Sequence, residues 1–262
     1  MIVRRLYGAA DWETRLLLPL RGESMSPPKK SEIRNTLLRS LSDQDFDHIA
    51  SHLEGIDLPK RFMITTPDRI SDYIYFLESG IGSVVVRAPE GKSAEIGVFG
   101  REGFSPTAVL QGSESAPFSI FMQVAGAGYR IQNARILAAA SDRLELRNLL
   151  LRYVQAASIQ TAYTAFSNAA DQIEQRLARW LLMCHDRTDG DKIDLTHDFL
   201  AVMLAVRRQS VTTTLHVLEG KHLIVSQRGF VAIRDRVGLE ALAGSSYGVP
   251  EREYRRLISQ TG

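Results

Sequence analysis

Residues 194–236 read DLTHDFLAVMLAVRRQSVTTTLHVLEGKHLIVSQRGFVAIRDR. Thr196 is a good helix N-cap, and the apolar residues behind it recur at the spacing of a short helix. A tight turn at Ala205-Val206 precedes a second helix that begins at Arg207. The buried face of this second helix is predicted at i, i+4 and i+7: Val211, Leu215 and Leu218.

A hairpin follows the second helix. Gly220 is a suitable helix stop, and two short apolar runs, 223–225 and 230–233, flank a turn at Gln227-Arg228-Gly229. Helix, short turn, helix and hairpin in this order are typical of a winged helix-turn-helix.

The first turns of the second helix carry side chains suited to reading DNA. Arginine donates two parallel hydrogen bonds to guanine, glutamine pairs with adenine, and the hydroxyls of Ser and Thr suit phosphates. We therefore predict DNA contacts from Thr196, Arg207, Arg208, Gln209, Ser210, Thr212, Thr213 and Arg228, and expect Thr214 to share the exposed face. The alternative is a small helical pair with solvated charges, which would not explain so many polar β-branched residues on one face.

The charge of this segment supports the DNA interpretation. Residues 206–236 hold six basic residues against two acidic ones, a balance of +4, whereas the whole chain balances at +2. A nucleic-acid surface must therefore be local.

Ahead of this segment the sequence changes character twice. Helical periodicity covers 33–52 and is followed, up to Ile131, by short apolar runs separated by Gly and Pro turns. Strands are predicted at 73–77, 82–86, 94–99, 119–124 and 129–131. Their close spacing is typical of an antiparallel roll or sandwich.

Two longer helices link the roll to the C-terminal segment. The first has an apolar stripe that requires a partner, either its own domain or the same helix of a second subunit. We favour the dimer, through Leu146, Leu149, Leu150, Tyr153, Ala157, Gln160 and Tyr163. The second begins at Asp171 and places Cys184 on its buried face, as a core thiol.

Composition limits the class of protein. With 262 residues, 44% hydrophobic and 24% charged, the chain is an ordinary globular protein of one or two domains. Because Cys184 is the only cysteine, a disulfide framework and a cysteine-held iron cluster are excluded. No apolar run is long enough for a membrane span, and none resembles a signal peptide, so we expect a cytoplasmic protein.

The sequence resembles the Crp/Fnr family of bacterial transcription regulators over residues 33–240. The resemblance is carried by the order and spacing of four segments: 75–80 (YFLESG), 100–103 (GREG), 174–181 (EQRLARWL) and 195–224. It implies an α+β fold: an N-terminal antiparallel β jelly-roll of the cyclic-nucleotide-binding type, a long dimerisation helix and a C-terminal winged helix-turn-helix. It also implies double-stranded DNA, a second copy of the chain and RNA polymerase as partners.

The domain boundaries follow. We expect an extension at 1–30, a β-roll sensor at 31–135, a linker and dimerisation helix at 136–168, a DNA-binding domain at 169–244 and a tail at 245–262. The first 24 residues are either an optional arm or the product of an upstream start codon, since Met25 follows them.

Two departures from the family pattern bear on function. Pro106 stands where cyclic-AMP-binding members have a glutamate, and 113–119 contains no arginine for the cyclic phosphate. We therefore expect no cyclic AMP, haem or iron–sulfur cluster. In the reading helix, Gln209 and Thr213 replace the family's usual glutamate and arginine, which predicts an altered operator.

Three alternatives stay open on the sequence alone. An enzyme is disfavoured because no phosphate loop, nucleophile elbow or metal-spaced cluster occurs. A ligand-binding module that regulates another protein would have no use for the exposed Arg/Gln/Thr helix. Within the regulator class, the roll either binds an effector or is a structural relic. Five aromatic residues of the roll either line a pocket or belong to its core: Tyr73, Tyr75, Phe104, Phe118 and Phe121.

Overall fold

The computed structural model describes residues 27–259, so most of the predicted N-terminal extension lies outside the described residues. Nine α-helices occur in this part of the chain: α1 Thr36–Arg39, α2 Asp43–Ala50, α3 Asn133–Asp142, α4 Leu144–Ala170, α5 Ile173–His185, α6 His197–Met203, α7 Arg208–Gly220, α8 Arg236–Ala243 and α9 Val249–Ile258. Eleven strands accompany them: β1 Glu54–Leu58, β2 Met63–Thr65, β3 Tyr73–Leu77, β4 Ile81–Arg87, β5 Ser93–Phe99, β6 Phe104–Ser105, β7 Phe118–Val124, β8 Gly126–Gln132, β9 Lys192–Asp194, β10 Ile224–Gln227 and β11 Phe230–Ile233.

The first eight strands form a roll of two four-stranded antiparallel sheets, ordered β1-β8-β3-β6 and β2-β7-β4-β5. The predicted jelly-roll is confirmed, and the five strands read from the sequence are present. Strands β1, β2 and β6 were missed because they are short or carry little apolar alternation. The space between the sheets is filled by Ile56, Leu58, Ile64, Tyr75, Leu77, Phe99, Ile120 and Met122.

Helices cover the outer face of the first sheet. Ile74 and Phe76 of β3 point into a layer built from helices α1 to α4. In this layer the ring centroids of Phe104 and of Tyr153 in α4 lie 5.1 Å apart, with the rings tilted against each other. A Cβ atom on Gly103 would lie 1.8 Å from that tyrosine ring, which explains the glycine that ends the segment 100–103. Because β3 is buried on both faces, it reads as a continuous apolar run instead of an alternating one.

The C-terminal domain covers the outer face of the second sheet. Phe121 of β7 meets Phe199 of α6 edge to face at 6.5 Å between ring centroids, and Trp180 of α5 lies 6.4 Å from Phe199. The core of the C-terminal domain therefore continues without a break into the roll. The five roll aromatics consequently line no common pocket, because Phe121 faces the C-terminal domain, Phe104 the helical layer, and the other three the roll interior.

A buried polar row crosses the same interface. The Trp180 indole N–H donates to Oε1 of Glu95 at 2.6 Å, and Ser83 donates to Gln123 at 2.7 Å. Next to them Cys184 is fully buried, and burial raises the pKa of its thiol well above the usual range, so the predicted core thiol is confirmed. Buried polar groups of this kind favour one docking geometry over others, since sliding the domains would leave them unpaired.

The long helix α4 corrects the predicted dimerisation face. Leu146, Leu149, Leu150 and Tyr153 are at most 4% exposed and belong to the chain's own core. Three other predicted residues also face inward, at least in part: Gln160 accepts a hydrogen bond from the Val98 backbone at 2.9 Å, and Ala157 and Tyr163 are half-buried. For Leu146, Leu149, Leu150 and Tyr153 the prediction was wrong, because this stripe already has its partner in the helical layer. For Ala157, Gln160 and Tyr163 it stays a prediction.

The C-terminal residues, expected only as a tail, include a further helix. In α9 the apolar residues Leu257 and Ile258 are buried against the rest of the molecule, and Tyr254 donates to the Glu102 carbonyl at 2.7 Å. Arg179 of α5 donates to the Ser246 carbonyl at 2.9 Å just before this helix. Helix α9 therefore packs against the roll and α4.

Glu95 makes the domain interface sensitive to pH. It is 4% exposed, burial raises its pKa from 4.5 to about 7, and its Oε2 has no partner. The pKa of Glu95 is higher in the folded chain than in the unfolded chain, so protonated Glu95 stabilises the fold. This contribution to stability is fully present below about pH 4.5 and is lost as the pH rises through 7. We predict that the free energy of unfolding, measured with urea, falls by up to ~3 kcal/mol between pH 5 and pH 8. The Glu95→Gln substitution should remove most of this dependence on pH.

The matched control is Glu90→Gln, because Glu90 is exposed. This control should keep the slope of the unsubstituted protein. An equal slope in the Glu95→Gln protein would contradict the assignment of the pH effect to Glu95.

Candidate DNA-binding surface

The helix-turn-helix is built by α6, a tight turn and α7. Thr196 caps α6 by accepting a hydrogen bond from the Phe199 backbone at 3.3 Å, as the sequence predicts. Ala205 takes φ of +52° in the turn, and the next amide, of Val206, bonds back to the Ala201 carbonyl. This left-handed residue ends α6 and lets the chain change direction.

Packing sets the rotation of α7. Val211, Leu215 and Leu218 are at most 1% exposed, in agreement with the predicted face. Thr214 is 2% exposed and donates to the Ser210 carbonyl at 2.8 Å, so its expected place on the exposed face was wrong. The reason is geometric: Thr214 lies between the two buried neighbours Val211 and Leu218, three residues from one and four from the other.

The other predicted side chains of α7 lie at its N-terminal end. Arg207, Arg208, Gln209 and Thr213 are exposed, whereas Ser210 and Thr212 are half-buried. The first amides of a helix have no intrahelical acceptor, and the N-terminus carries partial positive charge, which suits a phosphate. This end of α7 therefore presents base-reading donors beside an anion-binding backbone.

Two contacts of this surface were not foreseen from the sequence. Arg208 pairs with Asp198 at 3.0 Å, with both side chains more than half exposed, and His197 lies 3.0 Å from the Thr212 hydroxyl. Both partners come from the first turn of α6, so α6 contacts two of the side chains that are predicted to bind DNA. Such an exposed ion pair is weak, and Arg208 can leave Asp198 for a base at little cost.

The wing is a three-stranded sheet in the order β10-β11-β9. Strand β9 was not predicted, although Ile193 and Leu195 alternate with polar residues as strand residues do. At the wing turn Gly229 has φ of +92° and Arg228 is exposed. Lys192 of β9 sits 3.9 Å from the centre of the Phe230 ring, which adds a cation beside the wing.

Comparison with known proteins agrees with this surface. Residues 175–242 match the family model of the Crp-like helix-turn-helix domain. A search of curated proteins gave no match to this sequence.

Solved structures share the fold over most of this chain. FixK2 from Bradyrhizobium japonicum matches with a TM-score of 0.65 at 14% identity, over 74% of this chain and 98% of its own. A CRP-family transcriptional regulator from Thermus thermophilus matches with a TM-score of 0.62 at 19% identity, over 72% and 97%. The c-di-GMP-responsive global regulator CLP from Xanthomonas campestris matches with a TM-score of 0.60 at 15% identity, over 73% and 99%.

The structural matches show the fold, and the family model shows that residues 175–242 form a Crp-like helix-turn-helix domain. Between residues 27 and 259, no helix is both long and apolar enough to cross a membrane.

Arg208 provides a test of the reading surface. If it donates two hydrogen bonds to one base, Arg208→Ala should lose about 1–3 kcal/mol of binding to the preferred site and little on unrelated DNA. Arg208→Lys keeps the charge but not the paired donors, so it should also lose preference for the site. The measurement is a titration of both duplexes at fixed salt.

The Arg228→Ala substitution in the wing turn provides a comparison for Arg208→Ala. If Arg228 contacts a phosphate, Arg228→Ala should weaken binding to both duplexes alike and reduce the dependence on salt by about one counterion. Equal weakening of both duplexes by Arg208→Ala would assign Arg208 to a phosphate instead.

Proposed function

We propose that the protein regulates transcription by binding a two-fold symmetric operator as a homodimer, with α7 in the major groove and an effector bound to the β-roll domain setting its activity. The observation that carries the proposal is the exposed N-terminal end of α7, with Arg207, Arg208, Gln209 and Thr213 free of the core. A DNA-bound dimer of this kind would act on RNA polymerase, which stays a prediction.

A second face of α4 supports the homodimer. Leu144, Leu151 and Phe166 are 64%, 36% and 50% exposed, although all three are large and apolar. They lie opposite the buried face, beside Gln155, Ser158, Ala162, Ala165 and Ala169, which are all exposed. Positions 151, 155, 158, 162, 165 and 169 alternate in steps of four and three, the spacing of a coiled-coil seam.

We call Leu144, Leu151, Gln155, Ser158, Ala162, Ala165 and Ala169 the α4 seam. Its alanines allow close approach of two helices, and a two-fold axis would bring the same residues together from both copies. The proposed dimer thus keeps the helix that the sequence indicated but uses its opposite face. Two α7 helices related by this axis would meet half-sites one helical turn of DNA apart, as the family resemblance implies.

If the α4 seam is the dimer interface, a charged side chain placed in it should separate the two copies. Ala162→Glu places two carboxylates against each other in an apolar interface, so the dimer should dissociate into chains of 29.2 kDa. Thr161→Glu is the matched control, since Thr161 is also exposed but lies about 100° around the helix. Light scattering after size exclusion measures both masses, and a dimeric Ala162→Glu protein would contradict the seam.

The operator is tested by selecting binders from random duplex DNA at physiological salt with no added effector. A two-fold symmetric site with half-sites one helical turn apart supports the proposal. Weak, sequence-independent binding that collapses with salt would mean that the DNA-competent state needs an effector. No DNA binding even at low salt would contradict the regulator and favour the alternative, a module that acts on a protein partner.

A further inference from the structure

The first turn of α6 places a carboxylate on the surface that is predicted to bind DNA. Nε of Arg208 lies 3.0 Å from Oδ1 of Asp198, and the two side chains are 67% and 55% exposed. Phosphates repel a carboxylate on such a surface, so Asp198 lowers the affinity for DNA in general. Its pairing with a predicted base-reading arginine indicates what is gained in exchange.

The neighbours of Asp198 fix its position beside α7. Nδ1 of His197 lies 3.0 Å from Oγ1 of Thr212, and the same hydroxyl donates to the Arg208 carbonyl at 3.2 Å. On the other side of Asp198, the ring of Phe199 packs into the interface with the roll. The first turn of α6 is thus held against α7 independently of the ion pair. The carboxylate is therefore already in place in the free protein, which lowers the entropic cost of using it.

The ion pair involves one edge of the Arg208 guanidinium and leaves the other edge free. Asp198 faces Nε, and no residue from 27 to 259 accepts a hydrogen bond from Nη1 or Nη2 of Arg208. These two nitrogens can donate the parallel hydrogen bonds that recognise O6 and N7 of guanine. Arg208 can therefore contact a guanine edge while its Nε stays beside Asp198. The pair is weak in water and becomes stronger where DNA excludes water.

A phosphate is a less favourable partner for the same guanidinium. It carries a full negative charge, and beside Arg208 it would also lie close to the Asp198 carboxylate, which repels it. A guanine edge offers uncharged acceptors, so this repulsion is much smaller there. Without Asp198, Arg208 would be free to bind phosphates, which every DNA sequence offers.

We propose that Asp198 is a positioning residue for DNA recognition: it directs Arg208 to a guanine base and disfavours contact between Arg208 and phosphates. Asp198 thus raises the preference for one DNA sequence at the expense of total affinity. Disfavouring the wrong partner is a general route to specificity, beside better contacts with the right one. This role rests on the proposed function, because it requires α7 to read an operator.

The test compares binding to two duplexes at fixed salt, the operator selected from random DNA and an unrelated duplex of equal length. Asp198→Ala should bind the unrelated duplex about threefold more tightly, because a repelling charge is removed. The ratio of the two affinities should fall about fivefold or more, because Arg208 loses its orientation toward a base. Asp198→Asn keeps the shape of the side chain and removes its charge, so it should change both quantities in the same direction.

A double substitution shows whether Asp198 acts through Arg208. In the Arg208→Ala protein, a further Asp198→Ala substitution should leave the ratio of affinities unchanged, since no guanidinium remains to be directed.

Asp194→Ala is the matched control. Asp194 is exposed at the end of β9, close in sequence to α6, and forms no ion pair with any residue from 27 to 259. The substitution removes the same charge near the same surface. It should therefore affect both duplexes alike and leave the ratio of affinities unchanged.

The proposal is overturned if the ratio of affinities is unchanged in both Asp198 variants, or if Asp198→Ala lowers it equally with and without Arg208. A damaged α6 would weaken binding to both duplexes together, so it would not imitate the predicted fall in the ratio. A protein that selects an operator but keeps its ratio in both variants retains the proposed function and loses this role of Asp198. A protein that selects no operator loses both.

Discussion

The docking of α5 and α6 on the outer face of the second roll sheet is the contact on which the rest of the structure depends. Phe121, Phe199 and Trp180 give it an apolar centre, and the bond from Trp180 to Glu95 gives it direction. An apolar contact alone allows sliding, whereas a buried indole–carboxylate bond fixes one register. Helix α6, which precedes the predicted reading helix α7, is thereby tied to the roll.

This contact leaves α7 exposed while its neighbour α6 is half-covered by the roll. A change in the roll would therefore reach α7 through α5 and α6. The physical requirement is two arrangements of similar free energy, and the buried Glu95, whose charged form is disfavoured, makes the docked arrangement sensitive to its surroundings.

Sequence patterns predicted the parts of the molecule that depend on local spacing. The N-cap at Thr196, the buried face of α7 and five strands of the roll follow from periodicity and turn residues. Tertiary contacts decided what these patterns could not. The burial of Thr214 depends on the packing of α7, and the stripe at Leu146–Tyr153 belongs to the core because a helical layer covers it.

The candidate sites divide in the same way. The residues proposed to read DNA could be named from the sequence because base recognition requires particular side chains at a helix start. The contacts of Asp198 with Arg208 and of His197 with Thr212 could not, since each joins residues of two different helices. A carboxylate beside an arginine becomes visible only when both helices are placed.

The most direct test of the reading surface is hydrogen–deuterium exchange of the full chain, free and bound to a selected duplex. The amides of Arg208, Gln209 and Ser210 open α7 and lack intrahelical acceptors, so they exchange readily in the free protein. The account predicts that DNA slows exchange there and at the wing turn 227–229. A complex that forms with exchange unchanged at both places would contradict it.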